Sequence, residues 1–223
     1  MFFLLILIHE LGHFTSALFL KWNVDKIYFY PYGGYTKFNE DINKPLKEEL
    51  IILLAGPIAQ IIFYYLALSH FSIQDQNVFT AYHCSILIFN LLPIYPLDGG
   101  RLLNILLSFY FSYKTSYIST MIISYLVAIM LLLSSFFTTY NFSFNLYLMI
   151  SLIIVKLTEE YKKRKYYYNK FKLERYMKDY HFNKLKIITN IDKMMRDKRH
   201  LIKDKKKYIT EKQMLIKKYN YKR

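Results

Sequence analysis

Along residues 1–157 the chain alternates between long apolar runs and short polar joints. The apolar runs fall at about 2–20, 50–70, 79–95, 117–136 and 142–157. A bilayer core of about 30 Å asks for roughly 20 helical residues, so the third and fifth runs are short. The third lengthens if it continues through Pro96 and Asp98. Beyond residue 157 the pattern changes. Leu173, Met177, Tyr180, Leu185, Ile188, Ile191 and Met195 recur near a helical period, with Lys and Arg between them, which predicts a basic helical tail. The expected fold class is all-α: a polytopic transmembrane helical bundle with a broken, Asp-bearing helix and a basic cytoplasmic helical tail.

Composition and charge sharpen this picture. Hydrophobic residues make up 54% of the 223 positions and aromatics 19%, too apolar for an ordinary soluble domain. The net charge of +15 is unevenly placed. Residues 1–157 carry eight Lys/Arg and eight Asp/Glu, and residues 158–223 carry 23 against eight. Joints 21–49 and 96–116 hold Lys or Arg; joints 71–78 and 137–141 hold none. Positive segments face the cytoplasm, which puts 21–49, 96–116 and the tail inside. Five crossings then put Met1 outside, and this predicts a further span ahead of the first run. A signal peptide fits poorly, because no basic region precedes the run and no small-x-small site follows it. Cys84 is the single cysteine, which excludes an intramolecular disulfide and a thiolate metal cluster.

The first apolar run contains His9, Glu10 and His13. Titratable groups at bilayer depth cost about 3 kcal/mol each or more, so their presence asks for a function. The spacing is HExxH. On a helix, positions i and i+4 lie about 6 Å apart along the axis and on one face. Two imidazoles can then share one zinc while the intervening Glu takes a proton from the attacking water. A third ligand is needed. Glu40, Asp41, Glu48 and Glu49 lie in a Lys-rich joint and read as a solvated charge cluster. Asp98 is the better choice. It sits in FNLLPIYPLDGGRLL (89–103), where Pro93 and Pro96 break the helix and Gly99 and Gly100 free the backbone. Irregular backbone at membrane depth survives only where protein or a wet cavity shelters it. The rival readings are a non-enzymatic metal-binding membrane protein, an ion transporter lined by these three groups, and a soluble zincin. A metal carrier has no need of a non-ligand Glu between two ligands, and the alternating charge of the joints opposes a soluble fold.

HExxH in one apolar run with N-x-x-P-x-x-P-x-D-G in a later one resembles the site-2 protease family of intramembrane zinc metalloproteases. Within that family the chain looks most like the stage IV sporulation FB-type proteases. The stretches HELGHF, YPYGGYTKF, KPLKEELIILLAGPIAQ, NLLPIYPLDGGRLL and EEYKKRKYYYNKFKLERY carry the likeness, over roughly residues 1–178. The resemblance implies His9, His13 and Asp98 as ligands of one Zn2+, and Glu10 as general base and then acid. It implies Asn90 near the metal, orienting substrate or stabilising the oxyanion. Gly33 and Gly34 would belong to a membrane-dipping loop or hairpin, and Gly56-Pro57 would let one helix approach the zinc helix. The implied substrate is a membrane-tethered protein precursor, such as a sporulation pro-sigma factor, cut near the cytoplasmic face of a bacterial cell or forespore membrane. An integral membrane inhibitor is the implied partner.

Two segments are expected on this reading: an intramembrane protease domain over 1–157, lacking its first span, and a basic tail over 158–223. FB-type relatives carry a nucleotide-sensing CBS domain there. The sequence here is too poor in Val/Ile-rich strands and turn glycines for more than a degenerate remnant. Anionic lipid is the expected partner of the tail, at about 1 kcal/mol per basic residue near the surface. Topology alone and docking of a protein substrate are the other readings, and nucleic acid ranks below them.

Overall fold

The computed structural model describes residues 2–30, 33–38, 41–69, 72–137, 144–204 and 207–220. Each of the five apolar runs supplies a helix: α1 (Phe2–Phe19), α2 (Leu46–Leu68), α3 (Ile73–Leu91), α5 (Tyr113–Phe137) and α6 (Phe144–Lys162). A shorter helix, α4 (Asp98–Tyr110), follows the break after α3. By length and composition, α1, α2 and residues 113–134 of α5 are able to cross a membrane. The protein is an integral membrane protein. Only about a third of each of these windows is buried within the protein, and Leu18, Ile51, Ile62, Leu126 and Met130 face outward. Such faces are suited to lipid rather than to water. The third run falls short of that standard because α3 opens on Gln74-Asp75-Gln76-Asn77. Joint 137–141, apart from Phe137, lies outside the described residues.

The all-α expectation is overturned. Between α1 and α2, β1 (Val24–Tyr30) and β2 (Gly33–Phe38) pair antiparallel, with Gly33 opposite Tyr30 and Gly34 opposite Phe29. The second departure is the tail, which is not helical throughout. After α7 (Arg164–Met177) comes a three-stranded sheet of β3 (Leu185–Ile188), β4 (Arg199–Asp204) and β5 (Lys207–Thr210), with β4 central. β3 runs parallel to β4, and β5 antiparallel to it. A 3-10 turn at Ile191–Lys193 lies in the crossover, and α8 (Glu211–Asn220) closes the chain. The apparent helical period misled because few of its members share a face. Leu173, Met177 and Leu185 are exposed, whereas Ile188, Ile191 and Met195 are buried. The core of this unit is Phe171, Ile188, Ile191, Met194, Ile202 and Leu215, packed with Tyr113 from the start of α5. Its strands are short β-branched runs, Leu-Lys-Ile-Ile and Lys-Tyr-Ile-Thr, which suit a pleated surface. The switch from β5 to α8 is made by a capping box. The Gln213 N–H donates to Thr210 Oγ1 at 3.3 Å, and the Thr210 N–H donates to Gln213 Oε1 at 3.0 Å.

The C-terminal unit is fastened to the segment that leads into α2. Glu174 accepts the N–H groups of Ile42 and Asn43 at 3.1 and 3.2 Å and the Asn43 side-chain amide at 2.8 Å. Arg175, buried, donates to the carbonyls of Met195 and Lys198, both at 2.9 Å, and to Asn43 Oδ1. The acidic residues read as a solvated cluster are largely engaged. Asp41 meets Lys178, the Arg196 guanidinium lies 2.6 Å from Glu49, and Glu48 accepts from the Trp22 indole at 2.9 Å. Glu40 lies outside the described residues.

Candidate metal centre

α1 and α2 pack against each other along most of their length. The helix α1 buries His9, Glu10, Gly12 and His13 toward its neighbours. Ligand atoms of His9, Glu10 and His13 all lie within 4.8 Å of one another, with the two imidazoles brought onto one face by their i, i+4 spacing. The close approach depends on Gly56 of α2. A Cβ there would overlap the His13 imidazole.

Asp98 reaches the same place from a different part of the chain. One carboxylate oxygen, Oδ2, lies 2.8 Å from His9 Nε2 and 3.1 Å from His13 Nε2. The chain break that brings it there is built carefully. Residues 92–97 leave helical geometry between α3 and α4 and include a cis Tyr95-Pro96 bond. Their polar groups find partners. The Tyr95 N–H donates to Ser124 Oγ of α5 at 2.9 Å, and the Leu97 N–H donates to the Ile94 carbonyl at 2.9 Å. This is how irregular backbone survives at membrane depth. α4 then starts at Asp98, and a Cβ on Gly99 would run into the backbone of Leu91 and Leu92. The helix start is therefore pressed directly against the end of α3.

Both imidazoles are also held from behind by α2. The His13 Nδ1–H donates to the Ile52 carbonyl at 2.8 Å, and the His9 Nδ1–H to Gln60 Oε1 at 2.9 Å. With Nδ1 protonated, each Nε2 keeps its lone pair for a metal. The donor set fits zinc: two nitrogens and one carboxylate oxygen are the three protein ligands that a catalytic zinc takes. Ligand atoms on tetrahedral zinc stand about 3.3 Å apart, from bonds of about 2.0 Å. The observed 2.8 and 3.1 Å are close to that spacing. His9, Glu10 and His13 are buried, while the Asp98 side chain keeps 15% of its surface exposed. The Asp98 side is therefore the least buried side of the centre.

Residues 1–85 and 73–135 match the profile of Peptidase family M50. The chain belongs to peptidase family M50. This M50 chain is 36% identical over 178 residues to Stage IV sporulation protein FB of Bacillus subtilis (strain 168), covering 78% of this chain and 62% of that protein. It is 32% identical over 139 residues to a zinc metalloprotease of Methanocaldococcus jannaschii, covering 58% of this chain and 40% of that one. The M50 chain thus spans less than two thirds of the length of either relative. Among solved structures, the site-2 protease from Methanocaldococcus jannaschii superposes with a TM-score of 0.54 at 26% identity, over 71% of this chain and 74% of that one.

Of the residues singled out in the sequence, the M50 fold brings His9, Glu10, His13 and Asp98 together. Asn90 is buried on the last turn of α3, eight positions before Asp98. Asp41, Glu48 and Glu49 serve the C-terminal unit and the Trp22 side chain instead of the metal centre. Sequence reasoning missed Gln60, the Ile52 carbonyl and Ser124. Gln60 had a readable signal: it is the one amide side chain inside the apolar run of α2. A main-chain carbonyl has none.

Proposed function

We propose that this chain is an intramembrane zinc metalloendopeptidase that cuts a membrane-associated protein near the cytoplasmic face. The observation that carries the reading is the convergence of His9 Nε2, His13 Nε2 and Asp98 Oδ2 at one buried point, between helices whose outer faces are apolar. Zinc held by these three residues would polarise the scissile carbonyl and make water nucleophilic near neutral pH. Glu10, beside the two ligands on α1, takes the proton of the attacking water and returns it to the leaving amine. His9 and His13 are kept in the ligating tautomer by α2. Asn90 orients the substrate or donates to the developing oxyanion.

The reading extends to a substrate class, supported by the apolar helices around the site and the likeness to a sporulation protein: a membrane-tethered precursor, such as a sporulation pro-sigma factor, in a bacterial cell or forespore membrane. An integral membrane inhibitor is the expected regulatory partner. Residues 1–157 are the protease domain and 158–223 the cytoplasmic unit, a reduced relative of a CBS domain that also meets anionic lipid through its basic surface. The order strand, turn, strand, strand, helix after α7 supports this reading.

The test is co-expression of the chain with candidate tethered precursors, wild type against Glu10→Gln, with cleavage read on a gel. Gln keeps the shape of Glu but accepts no proton. Cleavage is expected to fall about 10²–10⁴-fold or more with zinc retained. Cleavage at the wild-type rate by a zinc-loaded Glu10→Gln protein overturns the reading.

A further inference from the structure

We infer that Gln60 is a positioning residue, locked by the backbone of α3, that decides which ring nitrogen His9 presents to the metal. The inference rests on the metalloprotease reading above and extends it by one layer. Gln60 is fully buried on α2. Its Oε1 lies 2.9 Å from His9 Nδ1, and its Nε2 lies 3.1 Å from the main-chain oxygen of His83 on α3.

The fixed group is the His83 main-chain oxygen. A carbonyl oxygen only accepts hydrogen bonds. The atom of the Gln60 amide that faces His83 must therefore be the NH2 group, and the two amide atoms cannot be exchanged without placing two oxygens against each other. The amide oxygen is then obliged to face His9. An amide oxygen also only accepts, so His9 must carry its proton on Nδ1. That leaves Nε2, on the side where Asp98 Oδ2 lies 2.8 Å away, as the ring nitrogen given to the metal. A backbone atom of α3 thus sets the tautomer of a ligand on α1, with Gln60 as the link. His83 Nδ1, 3.3 Å from the same amide nitrogen, offers a second acceptor. The His83 ring is itself stacked on Tyr64 of α2 at a centroid distance of 4.1 Å.

The placement is not a single chance contact. Ile52, Gly56 and Gln60 recur every four residues and share a face of α2, as His9 and His13 do on α1. The two helices are matched in opposite order. Ile52 bonds His13, Gly56 gives His13 room, and Gln60 bonds His9. His13 is served by main-chain oxygen, which survives any substitution. His9 depends on a side chain, and this makes the inference testable by mutation.

The experiment compares wild type, Gln60→Met and Gln60→Glu, purified in detergent. Zinc affinity is measured by competition with a chelator. The protonated ring nitrogen is read from 15N correlations in histidine-labelled, metal-free protein, with His9 assigned by His9→Asn. Met has similar length but no acceptor. Gln60→Met is expected to lose the slowly exchanging His9 Nδ1–H signal and 10- to 100-fold in zinc affinity, the usual scale for an outer partner of a ligand. Glu keeps the acceptor toward His9, and its other oxygen, held protonated by the buried His83 carbonyl it faces, keeps the donor, so Gln60→Glu is expected to retain the Nδ1–H signal and to bind zinc within a few-fold of wild type. An unchanged His9 signal and unchanged affinity in Gln60→Met overturn the inference alone. If Gln60→Met does not fold, loss of the Nδ1–H signal in folded Gln60→Glu overturns it. A wild-type protein that holds no zinc, or holds it equally well as His13→Ala, overturns the metalloprotease reading and this inference with it.

Discussion

The Leu46 N–H donates to the Asp197 carboxylate at 2.9 Å, across 151 positions of sequence. Leu46 is the first residue of α2, and the residue before it, Pro45, has no side-chain acceptor to give. The first N–H groups of a helix need outside partners. For α2 one of them comes from the C-terminal unit. The helix that braces both candidate zinc-binding imidazoles is therefore capped by a residue from the far end of the chain.

Asp197→Ala is expected to lower stability by about 1 kcal/mol, the usual worth of a lost N-terminal cap, read as a fall in the thermal midpoint in detergent. Asp197→Asn keeps an acceptor oxygen and is expected to recover most of the loss.

Asp98→Ala should empty the metal centre. Losing one of three protein ligands weakens zinc binding by orders of magnitude. Elemental analysis of the purified variant is expected to find well under one zinc per chain, and full zinc would remove Asp98 from the site.

Gly56→Ala places a methyl group where the His13 ring now lies. At least a ten-fold loss of zinc affinity is expected, since the ring must move away from its partners. Ile58→Ala, two residues on and facing outward, is expected to leave zinc affinity unchanged. Both are read by chelator competition.

The contact between Asp41 and Lys178 predicts a pH dependence. Burial pushes the Asp41 carboxyl up, but hydrogen bonds from Lys178 and the Tyr180 hydroxyl outweigh it and hold the group below its ordinary value. A carboxyl with a depressed folded-state pKa adds stability above its unfolded value of about 3.9, and loses it as pH falls through the folded value. Lys178→Met removes much of this effect. The gap in thermal midpoint between wild type and Lys178→Met is expected to be steady near neutral pH and to close below about pH 4.

The joint before α3 lacks Lys and Arg, and the positive-inside rule predicts that it lies outside. A cysteine at Asn77, exposed on the first turns of α3, with Cys84→Ser as background, is expected to react with an impermeant maleimide on intact cells. Reaction only after permeabilisation would reverse the orientation.

The sequence by itself determined the chemistry of the centre and the helices that carry it. HExxH is a local pattern, and a helix of 3.6 residues per turn turns that spacing into one face whatever surrounds it. The cost of burying His9, Glu10 and His13 among Leu and Ile marks them as functional before any contact is known. The break around Asp98 is local too, written in Pro93, Pro96, Gly99 and Gly100.

Tertiary structure decided what is not local. That Asp98 lies on the two imidazoles depends on Ser124 holding the Tyr95 N–H and on α4 pressing against the end of α3. The braces on the imidazoles are an amide and a main-chain oxygen, and neither has a motif. The tail was misread for the same reason. Short strands such as Leu185–Ile188 are stabilised by partners 14 residues away, Arg199 to Ile202, and a residue-by-residue period cannot register a partner. Which of the scattered Ile and Met residues were core was settled by Phe171 and Tyr113, which stack on each other with ring centroids 4.5 Å apart and belong to different helices.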